Sequence, residues 1–549
     1  MSNTTQEKLQ LTIRGQSLSI PLVCDVARAA DSVELITDAN FSARMEAAAA
    51  VVETAVEDNQ TIYGVTTGFG GMAGVPVDRQ QAAASQNNLL SFLAAGAGEP
   101  IDRCHVRAAM LLRANVLAKG VSGVRGEVVE RLLSFLKSDL TPVVRELGSI
   151  GASGDLVPLS TIGRAITGQS GRVKIESSGD VIDAAAALAS LGLEPLQLLP
   201  KEGLAIVNGT SFSCAIAANC VDESRRLMAL TMSVQSMMLQ AMQVQEEPFE
   251  DFVHQHKPHP GQVWSAQMMR QLLKEGRTYT NGKPEHVQDR YSLRCFPQYM
   301  GPIVEGIDRV ARTVETEMNA VSDNPLVDTK NDRFYQSGNF LGQYIGIAMD
   351  DLRRFIGLMA KHLDVQIATL VAPEFNNGLP ASLRGNEERP YNMGLKGLQI
   401  TGNSIMPMLT YYGHPIVEHF PTHAEQFNQN INGLSWGSAN LAWKSVGPFQ
   451  QYMAVSMMFA VQALDLRARS LLGHNDGRAL LGTLVTSLYE SICESLNCVP
   501  NESKPFLFND SEQWLEEHLA SLHENLCSHG SIVDAVEPVL ASFDHAHFS

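Results

Sequence analysis

Residues 148–160 contain a tripeptide, Ala152-Ser153-Gly154, that could turn the chain's own backbone into an electrophile. In a tightly bent loop the amide nitrogen of Gly154 can attack the carbonyl carbon of Ala152, because glycine has no Cβ and alanine is small. Loss of two waters, one of them from Ser153, would leave an imidazolone ring with a methylidene group, which amines attack. A Ser-Gly pair in a Gly-rich run is also ordinary turn chemistry, so the tripeptide alone leaves both interpretations open.

Further motifs follow in an order that resembles one family. They lie at 63–70 (YGVTTGFG), 208–210 (NGT), 288–295 (QDRYSLRC), 323–326 (DNPL), 338–340 (GNF), 396–399 (KGLQ) and 425–430 (EQFNQN). Together with 148–160 they resemble the aromatic amino acid ammonia-lyases, and most closely the bacterial phenylalanine ammonia-lyases. The resemblance extends from about residue 20 to beyond residue 430.

The resemblance implies a reaction, a cofactor and an assembly. The reaction is elimination of ammonia from L-phenylalanine to give trans-cinnamate. The cofactor is 4-methylidene-imidazol-5-one formed from Ala152, Ser153 and Gly154, next to Asn208, with no metal and no nucleotide. The expected assembly is a homotetramer in which three chains contribute to each active site.

Such an elimination needs a base and a carboxylate clamp. Tyr63 is the candidate base, and its ordinary pKa of about 10 must be lowered for that role. Arg294 is the candidate clamp, since a planar guanidinium can bind a carboxylate through two hydrogen bonds. Tyr291 lies one helical turn earlier and is expected to face the same site.

The remaining predicted site residues are polar groups and an apolar pocket. The amide groups expected at the carboxylate or the imidazolone oxygen are those of Asn208, Gln288 and Asn324. The charged groups expected near the substrate are Lys396 and Glu425, with Asn428 and Gln429 behind them. The apolar side chains expected around an aromatic ring are Phe92, Leu93, Leu156, Leu204, Phe340 and Ile400.

The pair Phe92-Leu93 bears on the choice of substrate. By resemblance, Phe-Leu is typical of phenylalanine lyases, whereas a His at the first position is typical of tyrosine lyases and Ser-His of histidine lyases. The alternatives are a phenylalanine 2,3-aminomutase, a tyrosine or histidine ammonia-lyase and, more remotely, a helical scaffold that never forms the ring.

Composition excludes some function classes and suggests a compartment. The chain has 549 residues and a formal charge of −18 with no basic stretch, which argues against a nucleic-acid partner. Eight irregularly spaced cysteines without a CxxC pair predict reduced thiols in a cytoplasm. Residues 227–245 carry no formal charge, but their many Ser, Thr and Gln residues favour a buried helix over a membrane span. His254, His256 and His259 do not have metal-site spacing, and no metal is predicted.

The fold expected from these patterns is mainly α. Apolar residues spaced by three or four predict long helices over 303–321 and 340–370, and the resemblance implies a long-helix bundle of the ammonia-lyase or fumarase-aspartase-like type with a small mixed N-terminal part. The predicted segments are 1–203 with the cofactor loop, 204–470 with the bundle, and a helical 471–549. Shorter predicted elements are hairpins at 9–22 and 173–181 and helices near 40–58, 79–95 and within 105–137.

Overall fold

The computed structural model describes residues 9–28, 33–168, 173–177, 179–277, 287–419, 423–546 and 548. This part of the chain is mainly helical. The α-helices span Ile20–Arg28, Phe41–Glu57, Ala82–Phe92, Arg103–Leu117, Gly126–Lys137, Leu156–Thr167, Ala184–Ser190, Glu202–Val207, Ser211–Ala241, Asp251–Gln255, Pro260–Leu273, Tyr291–Arg294, Phe296–Met318, Gln343–Leu370, Lys396–Tyr412, Ser435–Leu472, Thr483–Ser495, Leu515–Cys527, Ser531–Asp534 and Glu537–Asp544. Single 3₁₀ turns lie at Gly70–Met72, Glu247–Phe249, Ala381–Leu383, Gly477–Leu480 and Asp510–Glu512.

The strands are short and pair in small sheets. They span Leu9–Ile13, Val33–Thr37, Ala97–Pro100, Thr141–Pro142, Arg145–Leu147, Lys174–Ser177, Asp180–Asp183, Leu326–Asp328 and Arg333–Tyr335. The pair 174–177 and 180–183 is antiparallel, as predicted for 173–181, although residue 178 lies outside the described residues.

The N-terminal hairpin predicted over 9–22 is wrong. Leu9–Ile13 forms a strand, but the chain then enters the helix Ile20–Arg28 and pairs Leu9–Ile13 in parallel with Val33–Thr37. Parallel strands cannot be joined by a tight turn and need a crossover, which this helix supplies. Residues 14–16, which would be the turn of the predicted hairpin, therefore lead towards a helix and not into a second strand.

The predicted helices are confirmed, including the buried uncharged one. The helix Ser211–Ala241 contains the first fifteen residues of 227–245, and its hydroxyl groups bond to the helix's own carbonyls: Thr231 to Leu227 and Ser233 to Ala229. This i to i−4 bonding satisfies buried hydroxyls without leaving the helix. Across the described ranges, no helix is long and apolar enough to cross a membrane.

The chain divides by its internal contacts into two units. Unit 1 comprises residues 1–222, 310–350 and 415–443, and unit 2 comprises 223–309, 351–414 and 444–549. These units gather stretches that are distant in sequence, whereas the segments 1–203, 204–470 and 471–549 are continuous. The three-segment division stays a prediction.

Three packed helices of unit 1 carry predicted site residues: Ala82–Phe92, Leu156–Thr167 and Glu202–Val207. Gln86 is fully buried between them and satisfies both ends of its amide. Its Nε2 donates to the Gly64 carbonyl at 2.9 Å, and its Oε1 accepts from the Leu204 amide at 2.9 Å. Gln86 therefore ties the loop that follows Tyr63 to the helix that precedes Asn208.

Buried cations support the same region of unit 1. The Arg113 guanidinium, fully buried, donates to the carbonyls of Ala205, Asn208 and Ser322. Lys201 forms a 2.8 Å ion pair with Asp323, and both side chains are completely buried. Paired charges and satisfied donors are what make such burial tolerable.

Replacing Lys201 with Met should destabilise the protein strongly, because it leaves the Asp323 carboxylate buried without its cation. The expected loss is about 3–5 kcal/mol, read as a lowered melting temperature in thermal unfolding. A matched control is Arg309→Met, which removes a solvent-exposed partner of Asp351 at 3.0 Å and should cost about 1 kcal/mol or less. Equal shifts in the two variants would contradict the assigned role of the buried pair.

Candidate active site

The tripeptide Ala152-Ser153-Gly154 lies in a compressed loop against a second glycine. Gly154 has a left-handed φ of 67°, and a Cβ there would lie 2.2 Å from the carbonyl carbon and oxygen of Gly209. The Asp155 amide donates to that Gly209 carbonyl at 2.8 Å. No side chain fits between the two backbones, so position 154 requires glycine for both conformation and space.

Hydrogen bonds hold the loop on its other sides. The Gly342 and Gly433 amides donate to the Gly151 carbonyl at 3.0 and 3.4 Å, and the Leu434 amide donates to the Ile150 carbonyl at 3.0 Å. The Ser149 hydroxyl lies 3.1 Å from the carbonyl oxygen of Gly154 and accepts from the Gly151 amide at 3.1 Å. The bend that cyclisation requires is therefore built into the packing of unit 1.

Asn208 and Gln429 reach the middle residue of the tripeptide. Asn208 Nδ2 donates to the Ser153 carbonyl at 3.3 Å, and Gln429 Nε2 donates to the Ser153 hydroxyl at 3.1 Å. The Ser153 carbonyl oxygen is the one that an imidazolone made from these residues retains. Asn208 Oδ1 is buried without a hydrogen-bond partner, so this oxygen remains able to accept a hydrogen bond. The residues present fit a cyclised tripeptide.

Tyr63 is half-buried in the loop that leads to the Gly70–Met72 turn. Its hydroxyl accepts a hydrogen bond from the Gly70 amide at 2.9 Å. Burial raises the pKa of Tyr63, the Gly70 N–H opposes that shift, and the nearby Glu425 carboxylate adds to it. The sequence-based expectation of a lowered pKa for Tyr63 is therefore not met, because desolvation outweighs the single donor.

Glu425 is packed directly against this loop. A Cβ on Gly70 would lie 2.0 Å from Glu425 Oε2, so the glycine permits the approach. Burial raises the pKa of Glu425, and hydrogen bonds from Asn428 and Gln429 partly oppose the shift. Residues 425–427 all have left-handed φ values, 51°, 53° and 65°. Such conformations cost free energy in non-glycine residues and are found where a site demands them.

The apolar pair Phe92-Leu93 ends the helix Ala82–Phe92. Leu93 is buried, whereas Phe92 is 53% exposed and its ring lies 6.5 Å from that of Phe69, centroid to centroid. Leu204 is buried beneath the Tyr63 loop, where a Cβ on Gly64 would come within 2.7 Å of it. Leu156 and Phe340, also in unit 1, are half-buried.

Asn324 is buried beside a cis bond to Pro325. Its Oδ1 accepts from the Ser337 amide at 2.6 Å, so this oxygen is engaged within the fold. A role for Asn324 at a substrate carboxylate would therefore have to use its amide nitrogen.

Unit 2 brings together a second group of predicted residues. Gln288, Tyr291 and Arg294 line a cavity of about 440 Å³ together with Arg290 and Phe375. The Arg294 guanidinium lies over the Tyr291 ring at 4.8 Å, and its Nε is buried without a hydrogen-bond partner. As a lining residue of this cavity, Arg294 brings a guanidinium that is suited to bind an anion.

Lys396 and Ile400, also in unit 2, lie one turn apart at the start of the helix Lys396–Tyr412. Lys396 is exposed, and Ile400 is 64% exposed, which is unusual for a large aliphatic side chain. Their spacing places both on one face of the helix.

Three groups around the loop were not assigned roles from sequence. They are the Gly70 amide, the Ser149 hydroxyl and Asp155, whose buried carboxylate accepts from the Ser213 amide at 2.7 Å and whose pKa is raised to about 6 by burial. All three lie within the motifs at 63–70 and 148–160, so their presence in these motifs is the feature of the sequence that could have indicated a role at the site. Among the described residues, no group of three His, Cys, Asp or Glu side chains is arranged to hold a metal ion.

Comparisons with known proteins find similarity to aromatic ammonia-lyases and to a related aminomutase. A family model described as aromatic amino acid lyase matches residues 18–492. A phenylalanine ammonia-lyase of Nostoc punctiforme is 50% identical over 540 residues, which cover 97% of this chain and 95% of that protein. An aromatic ammonia-lyase of Loktanella atrilutea is 39% identical, covering 98% and 99%. A solved tyrosine aminomutase from Streptomyces globisporus has a TM-score of 0.86 at 26% identity and covers 96% of this chain and 99% of that one.

Proposed function

Because this chain belongs to the aromatic amino acid lyase family, we propose that it eliminates ammonia from L-phenylalanine and releases trans-cinnamate. The observation that carries the proposal is the compressed tripeptide, whose bend, glycine contact and Asn208 hydrogen bond suit cyclisation. The 50% identity to a phenylalanine ammonia-lyase over nearly the whole chain supports the choice of reaction.

The proposed cofactor is the 4-methylidene-imidazol-5-one made from Ala152, Ser153 and Gly154. When formed, it supplies an electrophile that makes the substrate amine a better leaving group. Asn208 donates to the oxygen that the ring retains, where it would stabilise negative charge as an oxyanion-hole donor does. Gln429 holds the Ser153 hydroxyl, which is the group that must leave as water.

Tyr63 is the proposed base for the β-proton of the substrate. The Gly70 N–H stabilises the phenolate form, whereas burial and Glu425 favour the phenol. A cation bound beside Glu425 would offset that carboxylate and lower the pKa of Tyr63. The substrate ammonium group is such a cation, which makes Glu425 the proposed amine-side contact.

Arg294 is the proposed clamp for the substrate carboxylate, with Gln288, Tyr291 and Asn324 as further polar contacts. Its place in the cavity lining and its stacking on Tyr291 support this role, because they position the guanidinium beside the cavity. Lys396, Asn428 and Ile400 are proposed to complete the surroundings of the substrate.

The aromatic ring of the substrate is proposed to lie against Phe92 and Leu93, with Leu156, Leu204 and Phe340 as further walls. An apolar wall gives a phenol hydroxyl no partner, and burying that hydroxyl unpaired costs about 1–3 kcal/mol. The expected preference for phenylalanine over tyrosine is therefore moderate, on the order of a hundredfold at most.

The proposed assembly is a homotetramer whose active sites combine residues from three chains. Large apolar side chains that are more than half exposed support further association, since such exposure is costly in a lone protomer. They include Phe92, Tyr291, Ile400, Phe427 and Ile431. A cytoplasmic location is proposed because the eight cysteines are irregularly spaced and contain no CxxC pair, as is typical of reduced thiols.

An aminomutase is the second candidate, because a solved tyrosine aminomutase shares this fold. It would use the same groups but return the amine to the β-carbon. Incubating the protein with L-phenylalanine and analysing the products by chromatography separates the two. Cinnamate with free ammonia supports the lyase. β-Phenylalanine as the main product would contradict the lyase proposal and support an aminomutase.

The cofactor proposal predicts a mass difference. The wild-type peptide containing residues 148–160 should be lighter by two waters, and Ser153→Ala and Gly154→Ala should both abolish that loss and nearly all activity. The matched control is Gly192→Ala, which also has a left-handed φ, 66°, but has no atom within 4 Å of the added Cβ. An unmodified mass in active wild-type protein would refute the mechanism, whereas an unmodified mass in inactive wild-type protein would favour the scaffold alternative.

The base proposal predicts a pH dependence. A base accepts a proton only when it is deprotonated, so kcat/KM should rise with pH as the raised pKa of Tyr63 is approached. Tyr63→Phe should lower kcat by about a hundredfold or more and remove this alkaline rise, while the mass loss at 148–160 persists. Near-normal turnover in Tyr63→Phe would remove Tyr63 from this role.

The specificity proposal predicts an exchange of preference in Phe92→His. A ring nitrogen near the para position can hydrogen-bond a phenol hydroxyl, and the wall becomes less suited to an unsubstituted ring. The ratio of kcat/KM for L-tyrosine to that for L-phenylalanine should rise by at least tenfold. An unchanged ratio, in a variant that retains the mass loss at 148–160, would show that Phe92 does not face the para position.

A further inference from the structure

A cavity of about 190 Å³ in unit 1 is lined by three cations and no acid. Its charged lining residues are Arg145, Arg164 and Lys174. The other lining residues are Ala94, Gly96, Val143, Val144, Val157, Pro158, Thr161 and Val173. Three clustered positive charges stand out in a chain whose formal charge is −18.

The three cations have no ion-pair partner among the residues that the structure describes. Arg164 donates to the Ser160 carbonyl and to the Thr161 hydroxyl, and Arg145 donates to the Gly98 carbonyl at 3.2 Å. These acceptors are neutral, so they leave the positive charges uncompensated. Burial lowers the pKa of Arg164, as expected for a guanidinium that is partly desolvated without an anion.

The nearest acids on the same sheet are engaged elsewhere. Asp183 lies opposite Lys174 in the strand register, but its Oδ1 accepts from the Ala186 amide at 2.8 Å and caps a helix. Glu176, two residues beyond Lys174, pairs with Arg103 at 3.8 Å. Neither carboxylate contributes to the cavity lining.

We propose that this cavity binds a small divalent oxyanion of the phosphate type. Arginine forks and a lysine ammonium are the side chains that bind such anions, and a hydroxyl donor is available from Thr161. A monovalent anion would leave two of the three charges uncompensated, which favours a divalent one.

The cavity adjoins elements of the proposed active site. Ala94 and Gly96 follow the pair Phe92-Leu93 in the chain, and the helix Leu156–Thr167 follows the cofactor loop. The Ser160 hydroxyl of that helix donates to the Leu93 carbonyl at 3.1 Å. The anion site is nevertheless separate in its residues from the groups assigned to catalysis, so its test does not depend on the proposed reaction.

Calorimetric titration of the full-length protein with inorganic phosphate, at neutral pH and constant ionic strength, tests the proposal. We expect saturable binding whose affinity falls about tenfold or more in Arg164→Gln. The loss of one hydrogen bond to a charged group changes an affinity by about this factor. Lys174→Gln removes an exposed side chain and serves as a second variant that should fold normally. The charge-matched control is Lys137→Gln, at the exposed end of the helix Gly126–Lys137, and it should bind like wild type.

Three results would show that the cavity is not an anion-binding site. They are the absence of saturable phosphate binding, an affinity unchanged in both cavity variants, and an equal loss in Lys137→Gln, which would indicate general electrostatics. Titration with acetate under the same conditions tests the charge of the ligand. Acetate binding as tight as phosphate and equally sensitive to Arg164→Gln would refute the assignment to a divalent anion.

Discussion

The contact between the backbones of Gly154 and Gly209 is the constraint on which the candidate site depends. With the Asp155 amide bonded to Gly209 and the Asp155 carboxylate bonded to the Ser213 amide, the tripeptide is fixed to the start of the helix Ser211–Ala241. Burial raises the pKa of Asp155 to about 6 in spite of these donors, so the carboxylate is held there at a desolvation cost. The loop thereby takes its geometry from a long buried helix.

The polar groups beneath the site extend this constraint to its other parts. Arg113 fixes the Asn208 carbonyl and the Ser322 carbonyl with one guanidinium, and Gln86 fixes the Gly64 and Leu204 backbones with one amide. These side chains are completely buried and form hydrogen bonds at both ends or on several edges. Removing one would leave several backbone groups unsatisfied, so the positions of the Tyr63 loop and Asn208 are coupled through the core.

The local features of this chain can be predicted from its sequence better than its strand pairings and its electrostatics. Helical periodicity identified the helices, because it is a local signal. The motifs directed attention to the tripeptide, which Asn208 and Gln429 contact in the structure. The strand partner of Leu9–Ile13 depends on a crossover connection that no short-range sequence pattern indicates. The left-handed backbone at residues 425–427 has no glycine to signal it, and the direction of the Tyr63 pKa depends on burial by residues distant in sequence.

The electrostatics of Tyr63 and Glu425 reflect a balance between desolvation and hydrogen bonding. Burial raises the pKa of both groups, and the Glu425 carboxylate raises that of Tyr63 further, so the unliganded arrangement favours the protonated phenol. The Gly70 N–H acts in the opposite direction and is already in place at 2.9 Å. A positive charge near Glu425 would offset the effect of this carboxylate and leave burial as the cause that opposes ionisation of Tyr63. Coulombic coupling between Glu425 and Tyr63 therefore links the charge state of the base to occupancy by a cationic amine.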